Sequence, residues 1–167
     1  ALIEAQYYSG GPASNAKVHW TVRAKPFSFS PDIPGWWNWG ATDIGWNWYS
    51  EPVIIAEGDA VTDSTGKFLL DLPAVLKALN DSAATGGSQS WSIAATVTDE
   101  SGFAVTNEGA LTVHATRFYL GLKPRSWVAQ AGQKATVDLL ALDWDAQPVA
   151  GQTVSVSLAR RTWKYAP

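Results

Sequence analysis

The sequence predicts an all-β fold, in which short antiparallel strands form a sandwich or a barrel. Apolar residues recur with a period of two, which is typical of half-buried strands. Turn signals rich in Gly, Asp and Pro separate these runs at short intervals. Apolar residues make up 46% of the chain and charged residues only 16%. This composition is sufficient for a packed core, and the regular turns favour sheets over helices.

Each predicted strand alternates between an apolar and a polar face. In KVHWTV, Val18, Trp20 and Val22 share one face, and His19 lies on the other. The other predicted strands are GKFLLDL, WSIAATV, ALTVH, ATVDLLALDW and TVSVSLA. One short helix is expected at PAVLKALN, residues 73–80, because its apolar residues have helical spacing after Pro73.

One turn occurs in two near copies, VTDSTG from Val61 and VTDESG from Val97. In both, Gly follows an Asp by three residues. This spacing predicts a type I turn that closes with a residue at positive φ.

The chain also contains an internal repeat. GPASNAKVHWTV (residues 11–22) aligns without gaps with QPVAGQTVSVSL (residues 147–158), and IEAQYY aligns with LLALDW ahead of them. The second copy carries a leading segment, residues 118–135, that has no counterpart in the first. We therefore expect two copies of one module, the first starting one strand late and the second ending early.

Composition excludes several classes of function. The net charge of −3 leaves no basic stripe for phosphates, so nucleic acid is not an expected partner. No apolar run approaches the ~20 residues of a membrane helix, so membrane insertion is not expected. The chain has no Cys, which excludes disulfides, thiolate chemistry and Cys-based zinc sites.

Several stretches resemble the bacterial alpha-2-macroglobulins. These are YYSGGPASNAKVHWTVRAKPF, PGWWNWG, VTDSTGKFLLDLPA, SWSIAATVTDESGFAV and the run from FYLGLK to RRTW. The resemblance implies consecutive macroglobulin (MG) domains, which are fibronectin-III-like β-sandwiches. Residues 1–116 are then expected to be one such sandwich lacking its first strand, and residues 117–167 the truncated opening strands of the next.

The resemblance also implies a function. Family members trap proteases: cleavage of a bait segment makes the molecule collapse, and in many members a Cys–Gln thioester then couples to the protease. This chain has no Cys and no long unpatterned stretch that qualifies as bait. The implied role is therefore a non-catalytic scaffold fragment of a broad-spectrum endopeptidase inhibitor in a bacterial periplasm or cell envelope. Its implied partners are neighbouring MG domains, target proteases via the whole parent protein, and other copies through unpaired strand edges.

Five of the ten tryptophans lie within residues 34–50. A hairpin folded about GATDIG places Trp39 opposite Trp46 and Trp37 opposite Trp48 on one face, where cross-strand aromatic pairs are stabilising. Two interpretations stay open for these four indoles. They bury against the sandwich, or they form a ligand or inter-domain contact, such as the platform of a carbohydrate-binding or adhesion module.

No residue set predicts catalysis, a metal site or a cofactor. His19 and His114 lie on predicted solvent faces, and no G-x-S-x-G motif occurs. The acidic residues near turns lack the D-x-D-x-D-G spacing of a calcium loop, and Asx-type turn bonding accounts for Asp63 and Asp99. These acidic residues are Asp59, Asp63, Asp99, Glu100, Asp143 and Asp145. We therefore expect a protein that is not an enzyme.

Overall fold

The computed structural model describes residues 1–39, 51–73, 75, 87–159 and 162, and these residues confirm the all-β fold. All sheets are antiparallel, and none of them closes into a barrel. No helix long and apolar enough to cross a membrane occurs among these residues. The strands are β1 (Leu2–Glu4), β2 (Lys17–Pro26), β3 (Val53–Val61), β4 (Lys67–Leu69), β5 (Gln89–Thr98), β6 (Ala104–Val113), β7 (Tyr119–Pro124) and β8 (Val137–Leu142).

The chain divides into two compact units. The first comprises Ala1–Ser30 and Trp39–Arg117, and the second comprises Pro31–Asn38 and Phe118–Pro167. The second unit therefore includes a short segment from the first half of the sequence. That each unit corresponds to an MG domain, with the boundary after residue 116, stays a prediction.

The first unit is a sandwich of two unequal sheets. A four-stranded sheet has the order β3-β2-β5-β6, and a two-stranded sheet pairs β1 with β4. Val22 of β2 and Trp91 of β5 are almost completely buried, and Phe68 and Leu70 pack against them from the other sheet. The alternation predicted for KVHWTV is thus confirmed, with the apolar face of β2 in the core and His19 exposed.

Strand β3 was not predicted from the sequence, for two physical reasons. Its first half, VIIA, is an apolar run without alternation, and the register of β2 and β3 shifts at a bulge between Val22 and Arg23. Its second half contains Gly58, a residue that ordinarily weakens strands. In the structure, a Cβ at Gly58 would lie 2.7 Å from the indole of Trp20, so the glycine makes room for that ring.

The predicted strand TVSVSLA is wrong. Residues 153–159 form no strand, and the side chains of Val156 (76% exposed) and Leu158 (fully exposed) face solvent. The equivalent strand of the first module, β2, lies between β3 and β5, whereas the described part of the second unit offers no such neighbours. A strand without a partner leaves its backbone groups unpaired and is not stable alone.

Other predicted elements differ in extent; β6, for example, begins at Ala104, six residues before the predicted ALTVH. Strand β4 spans only Lys67–Leu69, so it is shorter than the predicted GKFLLDL. Leu72, Pro73 and Val75 have helical backbone, and the Val75 amide donates to the Asp71 carbonyl oxygen at 3.4 Å. The rest of the predicted helix lies outside the described residues.

The predicted Asp-to-Gly turns are confirmed. The Asp63 amide donates to the Lys67 carbonyl at 2.8 Å, and the Gly66 amide donates to the Asp63 carbonyl at 3.0 Å. Gly66 has φ 77°, in the left-handed region that glycine adopts without strain. Asp99, Gly102 and Phe103 repeat the arrangement, with φ 82° at the glycine. Both turns have the geometry that the spacing predicted; the Asp99 turn connects the antiparallel pair β5 and β6, and the Asp63 turn connects β3 to β4 of the other sheet.

The internal repeat is also confirmed at the level of single hydrogen bonds. The connection that follows β1 and the one that follows β8 make the same three backbone bonds at aligned positions. They are Tyr7 N to Gly11 O, Gly10 N to Tyr7 O and Ala13 N to Ala5 O in the first, and Asp143 N to Gln147 O, Ala146 N to Asp143 O and Val149 N to Ala141 O in the second. The aligned Asn15 and Gly151 both have positive φ, 54° and 73°. The two modules therefore share one connector conformation.

Candidate contact surface around Trp37

The tryptophan-rich segment joins the second unit through its backbone. Asn38 and Leu122 exchange two hydrogen bonds, N to O in both directions, at 2.9 Å each. Leu122 is available for this bridge because its neighbours Gly121 and Lys123 pair with β8 on the other side of β7. Asn38 thus forms an isolated β-bridge at the β7 edge of the β7–β8 sheet.

Trp37 is half-buried and held by polar contacts at two points. Its indole Nε1 donates to the Pro34 carbonyl oxygen at 3.1 Å, and the ammonium of Lys123 lies 5.4 Å from the ring centroid. This cation–π distance corresponds to about 0.5–1 kcal/mol at an exposed site. Gly35 allows the approach, because it has φ 95° and a Cβ there would lie 2.6 Å from the Lys123 Nζ. Lys123 therefore occupies a position over the indole that a stacking ligand would otherwise use.

The other tryptophans of the predicted aromatic face have different surroundings. Trp39 belongs to the first unit, where it packs edge-to-face on Phe29 with ring centroids 5.3 Å apart. Trp36 is 84% exposed. Trp46 and Trp48 lie outside the described residues, so the predicted cross-strand pairs stay a prediction. No pattern in the sequence indicates the contact between Lys123 and Trp37, because these two residues are far apart along the chain.

The two histidines take structural positions. His19 Nδ1 lies 2.9 Å from Asp59 Oδ1 on the exposed face of the β2–β3 pair, as alternation predicted. His114 was predicted to face solvent, but it is half-buried and packs edge-on against Phe27 with ring centroids 5.5 Å apart. The prediction failed because His114 lies just beyond the end of β6, where strand alternation no longer sets direction. Within the described ranges, no three acidic or histidine side chains are grouped to hold a metal ion.

The acidic side chains near turns stabilise backbone amides. Oδ1 of Asp63 accepts from the Thr65 and Lys67 amides at 2.8 and 3.0 Å and from the Thr65 hydroxyl at 2.7 Å. The Thr65 hydroxyl, these backbone amides and the nearby Lys67 charge hold the pKa of Asp63 below its ordinary value. Asp99 and Asp143 accept backbone amides in the same way. These carboxylates serve as the Asx-type turn acceptors that the sequence predicted for Asp63 and Asp99.

A cavity of about 380 Å³ lies beside the loop that joins β7 to β8. Arg125 lines this cavity. Its guanidinium is bound by Asp138, with the Arg125 Nε 2.8 and 3.1 Å from the two carboxylate oxygens. On the same loop, Trp127 and Val128 are more than four-fifths exposed. Arg125 of the cavity lining is therefore already paired, and Val128, which also lines the cavity, is exposed to solvent.

Comparison with known proteins gives one structural likeness. No family model matches the chain, and no curated protein matches it either. Among solved structures, the chain is similar to the native conformation of Escherichia coli alpha-2-macroglobulin, determined by cryo-electron microscopy, with a TM-score of 0.53 and 14% sequence identity. The match covers 85% of this chain and 9% of that one, so this chain spans only a small part of the length of that structure. At this identity the likeness establishes the fold alone: the chain has a macroglobulin-like fold.

Proposed function

We propose that the chain is a non-catalytic scaffold segment of an alpha-2-macroglobulin-like, broad-spectrum protease inhibitor. The observation that carries the proposal is the macroglobulin-like fold over 85% of the chain, combined with a connector conformation that recurs in two successive modules. Tandem modules with one connector geometry suit a protein that holds domains in fixed order. In this role, the chain transmits a conformational change and carries out no reaction itself.

The functional groups of the described residues support a scaffold. Asp63, Asp99 and Asp143 accept backbone amides at turns, and Arg125 is paired with Asp138. The ammonium of Lys123 lies over Trp37. Each of these groups stabilises the local structure of a turn, a strand pair or a segment. This is the role expected of such groups in a domain that transmits a conformational change.

The partners and location of the chain follow from the same proposal. Its immediate partners are neighbouring MG domains of a parent chain, and it meets target proteases through the whole parent protein. The parent acts in a bacterial periplasm or cell envelope. Trp36, which is 84% exposed, is suited to an inter-domain contact of this kind, since aromatic anchors dominate interface energetics.

Protease assays on the purified chain test the proposal. A scaffold segment is expected to leave the activity of trypsin, elastase and subtilisin unchanged on protein substrates, because trapping requires the parent. Inhibition by the chain alone would contradict it. Titration with oligosaccharides, followed by tryptophan fluorescence, tests the alternative of a carbohydrate-binding module. A saturable shift that Trp36→Ala abolishes would favour that alternative and overturn the scaffold role.

A further inference from the structure

We propose that the cavity beside the loop between β7 and β8 binds an aliphatic carboxylate, a ligand with one negative charge on an apolar body. All the residues that line the cavity belong to the continuous segment 124–137, so one stretch of the second unit forms the site. Lys134 supplies the charge for the carboxylate, and aliphatic side chains supply a wall for the body of the ligand. The inference does not depend on the proposed scaffold function.

The loop forms a cavity because its two limbs are joined at the base and at the tip. At the base, the Arg125 amide donates to the Thr136 carbonyl at 3.0 Å. At the tip, the Gln133 amide donates to the Gln130 carbonyl at 3.0 Å, and Gly132, with φ 81°, allows this tight turn. Between these two bonds, no backbone hydrogen bond joins the limbs, all of whose residues the structure describes. Both limbs line the space of about 380 Å³.

The charges at the cavity favour an anion. Its lining, which lies wholly within the described loop, contains two cationic side chains and no acidic one. The charge of Arg125 is balanced by Asp138, which lies outside the lining. Lys134 has no ion-pair or hydrogen-bond partner among the described residues. One unbalanced positive charge therefore remains, and it suits a ligand with a single negative charge.

Two glutamine side chains add hydrogen-bond donors to the same lining. Gln130 and Gln133 both line the cavity, and neither side chain has a hydrogen-bond partner in the described part of the chain. An ionised carboxylate only accepts hydrogen bonds and has about four acceptor sites, so donors from a glutamine and from Lys134 can serve one carboxylate. The Ser126 hydroxyl is already used, since it donates to the Val128 carbonyl at 2.6 Å.

The apolar part of the lining defines the body of the ligand. Within the described loop it consists of aliphatic side chains without an aromatic ring, namely Pro124, Val128, Ala129, Ala135 and Val137. Val128 is 82% exposed and Val137 50%, so an aliphatic chain that covers them removes apolar surface from water. A volume of about 380 Å³ lies at the lower end of ligand-pocket sizes, which fits a short chain.

Titration of the full chain with octanoate tests the site. Nitrogen–proton correlation NMR follows the backbone amides of residues 126–136. We expect saturable shifts of these amides, and binding of octanol that is weaker by about threefold or more, because octanol lacks the charge that pairs with Lys134. Added NaCl should weaken the binding of octanoate and leave that of octanol unchanged, since salt screens an exposed ion pair. Absence of saturable shifts in this loop, or equal affinity for the two ligands, would overturn the proposal.

Two matched lysine variants test the part played by Lys134. Lys134→Gln removes the unpaired charge of the cavity, and Lys25→Gln removes a charge from an exposed position on β2. We expect Lys134→Gln to weaken octanoate binding by about threefold or more and to leave octanol binding unchanged, whereas Lys25→Gln alters neither. The NMR spectrum of each variant checks that the fold is retained. An equal loss with both variants, or none with Lys134→Gln, would overturn the assignment of the carboxylate to Lys134.

The apolar wall is tested by Val128→Ser, with Leu69→Ser on β4 of the first unit as its control, since Leu69 is 73% exposed. We expect Val128→Ser to weaken the binding of both octanoate and octanol several-fold, because both ligands share the aliphatic chain, and Leu69→Ser to alter neither. An unchanged affinity of Val128→Ser for both ligands would show that the chain does not lie on this wall and would overturn the proposal.

A carboxylate on an aliphatic body also occurs at the C-terminus of a peptide that ends in leucine. Acetyl-alanyl-leucine and its C-terminal amide, titrated in the same way, separate this source from a free aliphatic acid. Tighter binding of the peptide acid than of octanoate would identify a peptide C-terminus as the ligand, and the reverse order would identify a free acid. Equal binding of the peptide acid and its amide would contradict recognition of the carboxylate.

Discussion

Asp63 organises its turn through a single carboxylate oxygen, which accepts two backbone amides and one hydroxyl. The negative charge strengthens each of these bonds, since hydrogen bonds to ionised acceptors are stronger than neutral ones. The same bonds favour the ionised form and lower the pKa of the carboxyl. One residue thereby links the geometry of a turn to the pH of the solution.

Replacement of Asp63 by Asn is expected to lower the stability of the first unit at neutral pH. Because the folded pKa lies below the ordinary value of 3.8, the stabilisation by Asp63 is fully present above that value and is lost as the pH falls through the folded pKa. Urea unfolding of the unsubstituted chain and of Asp63→Asn, from neutral to acidic pH, measures this loss of stabilisation. The difference between them should shrink below pH 3.8.

Glu57→Gln is the matched control for that experiment, since Glu57 is exposed on β3 and removal of its charge alters no turn. The free energy of unfolding of Glu57→Gln should differ little from that of the unsubstituted chain. This difference should not shrink at acidic pH in the way expected for Asp63→Asn. An Asp63→Asn effect that is the same at every pH would show that the charge of the carboxylate is not what stabilises the turn.

Residue roles were predictable where the contact is local in sequence. The Asp-to-Gly spacing predicted the turns, since their bonds join residues no more than four apart. The partner of Trp37 was not predictable, because Lys123 comes from a distant strand. The prediction for His114 was wrong for a related reason, because its contact with Phe27 depends on tertiary structure.

At the scale of elements, strands predicted by alternation form where a partner strand is available. It predicted β2, β5 and β8, but it also predicted TVSVSLA, for which the described residues supply no partner. It missed β3, whose outer position tolerates a bulge, a glycine and an apolar run. Alternation in a sequence shows which side chains can face a core. Whether a core is present depends on the other segments that pack against the strand.

The aligned residues Val22 and Leu158 test the effect of a core on two equivalent positions of the repeat. Val22 is completely buried in the core of the first unit, whereas Leu158 is fully exposed. Val22→Ala should therefore lower the free energy of unfolding by about 2 kcal/mol through lost burial and a small cavity. Leu158→Ala should change it by less than about 0.5 kcal/mol. Chemical denaturation measures both, and a comparable loss for Leu158→Ala would show that residues 153–159 pack against a core.

At the scale of the whole molecule, the two units differ in how completely their strands are paired. Strands β2 and β5 have neighbours on both sides, while β7 and β8 form a two-stranded sheet. Leu122, Val137 and Leu139 of that sheet are each at least 40% exposed. Since two-stranded sheets have little stability of their own, the second unit should open more readily than the first.

Amide hydrogen exchange should resolve this difference strand by strand. We expect the amides of β2 and β5 to exchange slowest, and those of β7 and β8 to exchange faster by at least tenfold after correction for intrinsic rates. Mass spectrometry of proteolytic fragments, after timed labelling, gives the comparison. Protection of β8 equal to that of β5 would contradict it and would indicate that the second unit has a core of its own.

The repeated connector has a consequence for how the chain folds. The same three hydrogen bonds form after β1, in a unit that has two sheets, and after β8, where the described residues form only a two-stranded sheet. Its conformation is therefore encoded by the residues of the connector themselves. Contacts between residues close in sequence form fastest, because little loop entropy is lost on closure. The two connectors are thus expected to act as early, independent nuclei that set the direction of the chain after each of them before the sheets assemble.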